Sequence, residues 1–278
     1  MNKSVCPAAE TETLLVATDG SEFAKTAVRG AINLAGICSS KLIAISLVKT
    51  NLEFESVVPQ VIEKEEKEAR EHLESIKNEA SSKGILCETI ISLSDEPYHD
   101  IVNQASKSKA NIIIMGTHGR TGIKRLMMGS VTAKVIGHAP CNVLVLPLDA
   151  KVECRNVLIA TDGSKYSDAA ASVAIGIAKR CGSNLAVISV ASSDSEISSA
   201  SANVKKVTDA SENESIKTEP IVTRGTPYEV ITATAKKKKA DLIVMGSHGR
   251  KGFERLLMGS VTERVIGHSE AAVLVVRI

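Results

Sequence analysis

Apolar residues in this chain fall into short unbroken runs, separated by longer stretches in which they recur every three or four positions. The first run, Leu14-Leu15-Val16-Ala17-Thr18, is apolar until its last residue, as in a strand covered on both faces. Phe23, Ala27, Ile32 and Ala35 follow near helical spacing and predict a helix to about Ile37. Leu42 to Val48 predicts a second strand. A charged helix is predicted from about Val57 to Ser82, with an apolar stripe at Ile62, Ala69, Leu73, Ile76 and Ala80. Ile85 to Ile91 is the third strand, and Pro97 opens a helix at a position where its missing N–H costs nothing. Ile112 to Met115, a helix after Ser130 and a last strand, Val143 to Leu146, close the unit.

The same order then runs again. Val157 to Thr161, Leu185 to Val190, Ile216 to Val222 and Val273 to Val276 match strands one, two, three and five, and the run after Asp241 matches strand four. A period this long means a duplicated domain, not a solenoid. The expected division is 1–147, with a polar leader over 1–12, then a linker over 148–155 and a second domain over 156–278. Asp19 and Asp162 lie 143 positions apart but Gly116 and Gly246 only 130, so the first half carries 13 extra residues between strands two and four. At that place the second half has Ser192 to Ser215, rich in Ser, Asp and Asn, which predicts a short or poorly ordered helix and a less covered site. Strands alternating with helices give an α/β fold, a mostly parallel sheet with helices on both faces. Ligands of such sheets sit beyond the carboxyl ends of the strands.

The candidate chemistry lies at those ends. Met115-Gly116-Thr117-His118-Gly119-Arg120 leads to Gly129-Ser130-Val131, and Met245-Gly246-Ser247-His248-Gly249-Arg250 leads to Gly259-Ser260-Val261. In each copy two residues separate the first glycines and nine separate the second glycine from the Gly-Ser pair. Glycines that leave backbone N–H groups bare, followed by the positive end of a helix dipole, suit phosphate oxygens. Ala17-Thr18-Asp19 and Ala160-Thr161-Asp162 end the first strand of each half and can face the same crevice.

Apolar residues make up 44% of the chain, enough for two cores, but aromatics only 2% with no Trp, which leaves little surface for stacking on nucleic-acid bases. A net charge of +2 gives no electrostatic reason to expect nucleic acid or an anionic membrane as partner. No run reaches membrane-span length, and the first residues lack the apolar core of a signal peptide, so a cytoplasmic location is expected. Six cysteines show no C-x-x-C pair and read as buried free thiols of a reducing compartment. With six histidines they form no metal-ligand spacing, so no metal site is expected.

On three motifs in one order, twice, the chain resembles the universal stress protein family in its tandem form. They are Ala17 to Ser21 and Ala160 to Ser164, the two glycine patterns, and the tails Gly137-His138 and Gly267-His268 leading into the last strands. The resemblance covers both halves nearly end to end. It implies two Rossmann-like domains, each a five-stranded sheet of order 3-2-1-4-5, joined through their last strands as an internal pseudo-dimer. It further implies ATP as ligand, as in family members that keep the glycine pattern, with Mg²⁺ at most bound through the phosphates. By position, Gly116, Gly119, Gly129 and Ser130 would hold phosphates, Asp19 the ribose and Leu47 the adenine; Gly246, Gly249, Gly259, Ser260, Asp162 and Val190 form the second set. Neighbouring Met115, Arg120, Val131, Met245, Arg250 and Val261 complete the expected lining. The first half departs from the family at Asp95-Glu96-Pro97, where the second keeps Gly225-Thr226-Pro227.

Each signal has a structural reading beside it. The glycines fit tight turns, and Ser260-Val261-Thr262-Glu263 fits a capping box. Asp19 and Asp162 fit turn residues, His118 and His248 loop packing, and His138 and His268 a structural role. Lys236 to Lys239 reads as the exposed end of a helix. The expected function is an ATP-binding stress or signalling module whose occupancy sets conformation or partner choice, with no dedicated catalytic residue. Alternatives are a slow ATPase or nucleotidyl-transferring enzyme, and an interaction scaffold without nucleotide. A homodimer of chains and the identity of a protein partner stay open.

Overall fold

The computed structural model describes residues 11–49, 59–119, 128–250 and 258–278. In the first half, β1 (Thr13–Thr18), α1 (Glu22–Cys38), β2 (Lys41–Lys49), α2 (Pro59–Ser82) and β3 (Cys87–Ser94) are followed by α3 (Pro97–Ser108), β4 (Ile112–Gly116), α4 (Ser130–His138) and β5 (Asn142–Leu146). In the second half the series is β6 (Asn156–Ala160), α5 (Lys165–Cys181), β7 (Asn184–Ala191), α6 (Ile197–Asn213), β8 (Thr218–Arg224), α7 (Pro227–Lys238), β9 (Leu242–Gly246), α8 (Ser260–His268) and β10 (Ala272–Val276).

All ten strands join one sheet in the order β3-β2-β1-β4-β5-β10-β9-β6-β7-β8. Each half is parallel throughout and has the order 3-2-1-4-5. The two fives meet in a single antiparallel pairing, Leu274 opposite Leu144. The central strands β1 and β4 are apolar on both faces because helices cover both: Leu14, Leu15, Ile113 and Ile114 have no exposed surface. Among the described residues the last strands therefore do what the resemblance implies, joining the halves edge to edge and removing two sheet edges. The C-terminal strand is also tied by side chains. The Arg277 N–H donates to Asn142 Oδ1 (3.1 Å) and its Nε–H to the Ala139 carbonyl (3.2 Å).

Three elements differ from the sequence expectation, one of them β8, which runs Thr218–Arg224 in place of Ile216 to Val222. The third strand begins two residues later, at Cys87, and runs on through Ser92 to Ser94. It is an edge strand, and its register with β2, Leu42↔Cys87 to Lys49↔Ser94, overrides its local hydrophobicity. The larger difference lies at residues 192–215, expected as a short or poorly ordered helix: α6 is regular over 17 residues, and shorter than the 24-residue α2. Its apolar stripe is made of small residues: Ala200, Val204 and Val207 are buried with Ser211, four positions spaced for one helical face. A stripe this modest suffices because the helix packs on β7 and on β8, the strand at the sheet edge.

Packing is continuous across the seam, since Leu144 and Leu274 belong to one apolar cluster with Val16, Ile114, Ile159 and Val244. Leu274→Ala is therefore expected to cost roughly 2–5 kcal/mol. Urea unfolding followed by far-ultraviolet circular dichroism should show a single transition at lower midpoint. Two separate transitions, with one half unchanged, would refute the shared core.

Candidate functional site

At the carboxyl ends of β6 and β9 lies a crevice of about 510 Å³. Ala160, Thr161 and Asp162 from the end of β6, Val190 from β7, Met245, Gly246, Gly249 and Arg250 from β9 and its loop, and Gly259, Ser260 and Val261 at α8 all line it. Every residue expected at the second site is thus brought to one cavity. Placement at adjacent strand ends follows from β6 and β9 being direct neighbours.

The glycines of the loop have separate reasons. A Cβ on Gly246 would stand 2.7–2.8 Å from the backbone of Tyr166, in the first turn of α5. On Gly249 it would stand 2.6 Å from Asp162 Oδ2. The first glycine lets a helix approach the strand end; the second admits a carboxylate. That carboxylate organises the crevice floor, its Oδ1 accepting from the Ser164 N–H (3.0 Å) and its Oδ2 from the Arg250 N–H (2.7 Å). It is both the turn residue of the structural reading and a lining residue of the cavity. Gly163, at φ 78°, completes this turn in the left-handed region, and a Cβ there would meet Asn203 Oδ1 at 2.3 Å.

The long loop returns to its own start, with the Gly259 N–H donating to the Ser247 carbonyl (2.9 Å) and the Thr262 hydroxyl to the Gly246 carbonyl (3.0 Å). Helix α8 begins here with Gly259, not Ser260, as N-cap, so the capping-box spacing is out of register by one residue. No side chain caps either α8 or its counterpart α4. A helix N-terminus without a side-chain cap turns its first N–H groups and its dipole toward whatever occupies the crevice.

The first half repeats the arrangement among its described residues. The Gly129 N–H donates to the Thr117 carbonyl (2.8 Å), Thr132 to the Gly116 carbonyl (3.1 Å), and the Ser21 N–H to Asp19 Oδ1 (3.0 Å). A Cβ on Gly116 would meet the Phe23 carbonyl oxygen at 2.8 Å, and one on Gly119 would meet Asp19 Oδ2 at 2.6 Å. Ala17, Thr18 and Met115 are buried at the strand ends, Leu47 is half-buried on β2, and Ser130 and Val131 open α4. Arg120, expected at this site, lies outside the described residues. The halves differ in what holds the strand-one threonine. Thr18 Oγ1 is hydrogen-bonded to His72 Nε2 of α2 (2.9 Å), whereas the Thr161 hydroxyl donates to Ser167 Oγ (3.2 Å). Asp95 and Glu96 are exposed, and Glu96 is the N-cap of α3.

The loop histidines pack. His118 lies against Phe23 and His248 against Tyr166, with ring centroids 5.0 and 5.1 Å apart. His138 and His268 lie against Tyr98 and Tyr228 with their rings tilted in the same way. Lys236 and Lys238 end α7 in exposed ion pairs with Glu270 and Glu219.

Sequence reasoning missed the roof of the second site. Ser199, Ala200 and Asn203 of α6 line the crevice, with Glu196 before them and Ser189 beneath. Arg250 Nη2 donates to Ser199 Oγ (3.0 Å) and Asn203 Nδ2 to Ser189 Oγ (3.4 Å). The segment expected to leave this site less covered supplies part of its lining. The available signal was the Ala200-Val204-Val207 spacing, which fixes which face of α6 turns inward and hence where Ser199 and Asn203 project.

Chain-wide comparison agrees with this architecture. The pattern of the universal stress protein family matches residues 10–147 and again 153–277. A universal stress protein of Methanocaldococcus jannaschii is 35% identical over 137 residues, covering 48% of this chain and 80% of its own. One from Mycolicibacterium smegmatis is 27% identical over 288 residues, 95% of this chain and 96% of its own. The crystal structure of a universal stress protein from Archaeoglobus fulgidus superposes with a TM-score of 0.81 over 98% of both chains at 23% identity, a likeness of fold. Two matched halves, each with its sheet and glycine loop, make this chain a member of the universal stress protein family with two family domains in tandem.

Proposed function

We propose that each half binds ATP and that occupancy sets the conformation of the chain or its choice of partner. One observation carries the reading. The glycine loop, the end of strand one and an N-terminus without a side-chain cap converge on a crevice of about 510 Å³, a size suited to a nucleotide. The phosphates would lie over Gly246, Gly249 and the first N–H groups of α8, Asp162 beside the ribose, and adenine toward Val190. Gly116, Gly119, Gly129, Ser130, Asp19 and Leu47 would serve the first half in the same way. Mg²⁺ would arrive on the phosphates: among the described residues no group of three His, Cys, Asp or Glu is placed to hold a metal. No helix among those residues is long and apolar enough to cross a membrane.

Isothermal titration of nucleotide-stripped protein tests the reading, with a result of two ATP per chain expected. No uptake at millimolar ATP would overturn it and leave a scaffold. Conversion of bound ATP to ADP would favour a slow ATPase.

A further inference from the structure

Cys154 and Cys181 are 27 residues apart in sequence, yet their thiols share a hydrogen bond. Cys154 lies just before β6, and Cys181 is the last residue of α5. Hydrogen bonds of the flanking residues hold them there. Ser183 Oγ donates to the Cys154 carbonyl, and the Asn184 N–H donates to the Arg155 carbonyl (2.8 Å). Asp241 fixes both flanks of Cys154, accepting from the N–H groups of Glu153 (3.2 Å), Arg155 (2.9 Å) and Asn156 (2.9 Å).

The duplication supplies a comparison. The offset of 143 positions that relates Asp19 to Asp162 also relates Cys38 to Cys181 and Thr11 to Cys154. Cys38, at the end of α1, is disulfide-bonded, with its partner outside the described residues. This corrects the expectation of a free thiol there, since a disulfide depends on placement in space, which spacing along the chain does not show. Ser40 Oγ binds the Thr11 carbonyl as Ser183 binds that of Cys154. One helix end thus already carries a disulfide, and its duplicate carries two thiols in contact.

We propose that Cys154 and Cys181 are a redox pair that closes a disulfide between the segment entering β6 and the end of α5. Cys181 is half-buried and meets the oxidant, while Cys154 is only 4% exposed and resolves. The Cys154 thiol donates to the Cys181 sulfur, which, with the Arg180 guanidinium nearby, holds the Cys181 thiol below its ordinary value and pushes that of Cys154 up. Burial instead raises the thiols of Cys87 and of Cys141, the latter to about 11, so neither competes with Cys181 for the oxidant. With hydrogen peroxide as oxidant, the Cys181 sulfur attacks one oxygen, giving a sulfenic acid and one water. The Cys154 sulfur then attacks the Cys181 sulfur, forming the S–S bond and releasing the second water. Two thiols lose two electrons in all, and the peroxide gains them.

The test uses the full chain, reduced, freed of reductant and exposed to hydrogen peroxide, then alkylated and digested with trypsin. Mass spectrometry should find the peptide Val152 to Arg155 linked to the one beginning at Cys181. The link should vanish in Cys154→Ser, which should accumulate dimedone-reactive sulfenic acid at Cys181; Cys181→Ser should leave Cys154 unoxidised. Oxidised wild-type protein should melt roughly 5 °C above the reduced form, because the bridge constrains the unfolded chain. Sulfinic acid at Cys181 without any link, or links of Cys181 to other cysteines in preference, would overturn the proposal, and neither result depends on a variant folding.

Discussion

Gly246→Ala should lower the melting temperature of the nucleotide-free protein by roughly 5 °C, from an overpacking cost of about 2 kcal/mol. The added carbon would lie 2.7 Å from both the carbonyl carbon and the Cβ of Tyr166 and 2.8 Å from its carbonyl oxygen. These atoms belong to the first turn of α5, whose start is fixed by the Ser164 cap on the Ser167 N–H (3.2 Å) and whose buried face packs on the sheet. Neither side can yield cheaply, because β9 is central, paired with β6 on one side and β10 on the other. Since the clash is with backbone, the loss should appear before any ligand is added. Calorimetry of the two proteins decides the matter. An unchanged melting temperature would mean that α5 recedes freely and that Gly246 is required by a ligand alone.

Asp162→Ala separates ligand binding from folding in the opposite sense. Its carboxylate holds the Ser164 and Arg250 N–H groups, so it sets the spacing between the strand-one turn and the glycine loop. A charged hydrogen bond contributes about 1.5–3 kcal/mol, so losing the brace on a half-exposed loop should weaken ATP at the second site by roughly 10- to 100-fold. The first site, built on Asp19, should keep its affinity. In titration, two equivalent sites should become one tight and one weak. Two sites of unaltered affinity would show that Asp162 is a turn residue and nothing more, as its bond to Ser164 alone would allow.

Much of this protein was legible in its residues because duplication checks every reading twice. The apolar runs from Leu14 and from Val157 identify doubly covered strands, and the glycine spacing in both halves marks the loops without regard to what surrounds them. Local chemistry also fixed the packing histidines: His118 and His248 sit between glycines, where a ring has room to lie against the helix start.

What the sequence did not determine was long-range. Ser192 to Ser215 looked too polar for an ordered helix because its few apolar residues are small. Only pairing with β7 and β8 shows that Ala200, Val204 and Val207 suffice, and only then do Ser199 and Asn203 become the roof of a site. The N-cap shift from Ser260 to Gly259 depends on where the returning loop bonds to Ser247. The meeting of Cys154 with Cys181 depends on Ser183 and Asp241 holding one segment beside a helix end. Hydrophobic periodicity is a property of neighbours along the chain and survives in any fold. Register, lid placement and side-chain encounters are properties of neighbours in space, and these the assembled ten-stranded sheet decided.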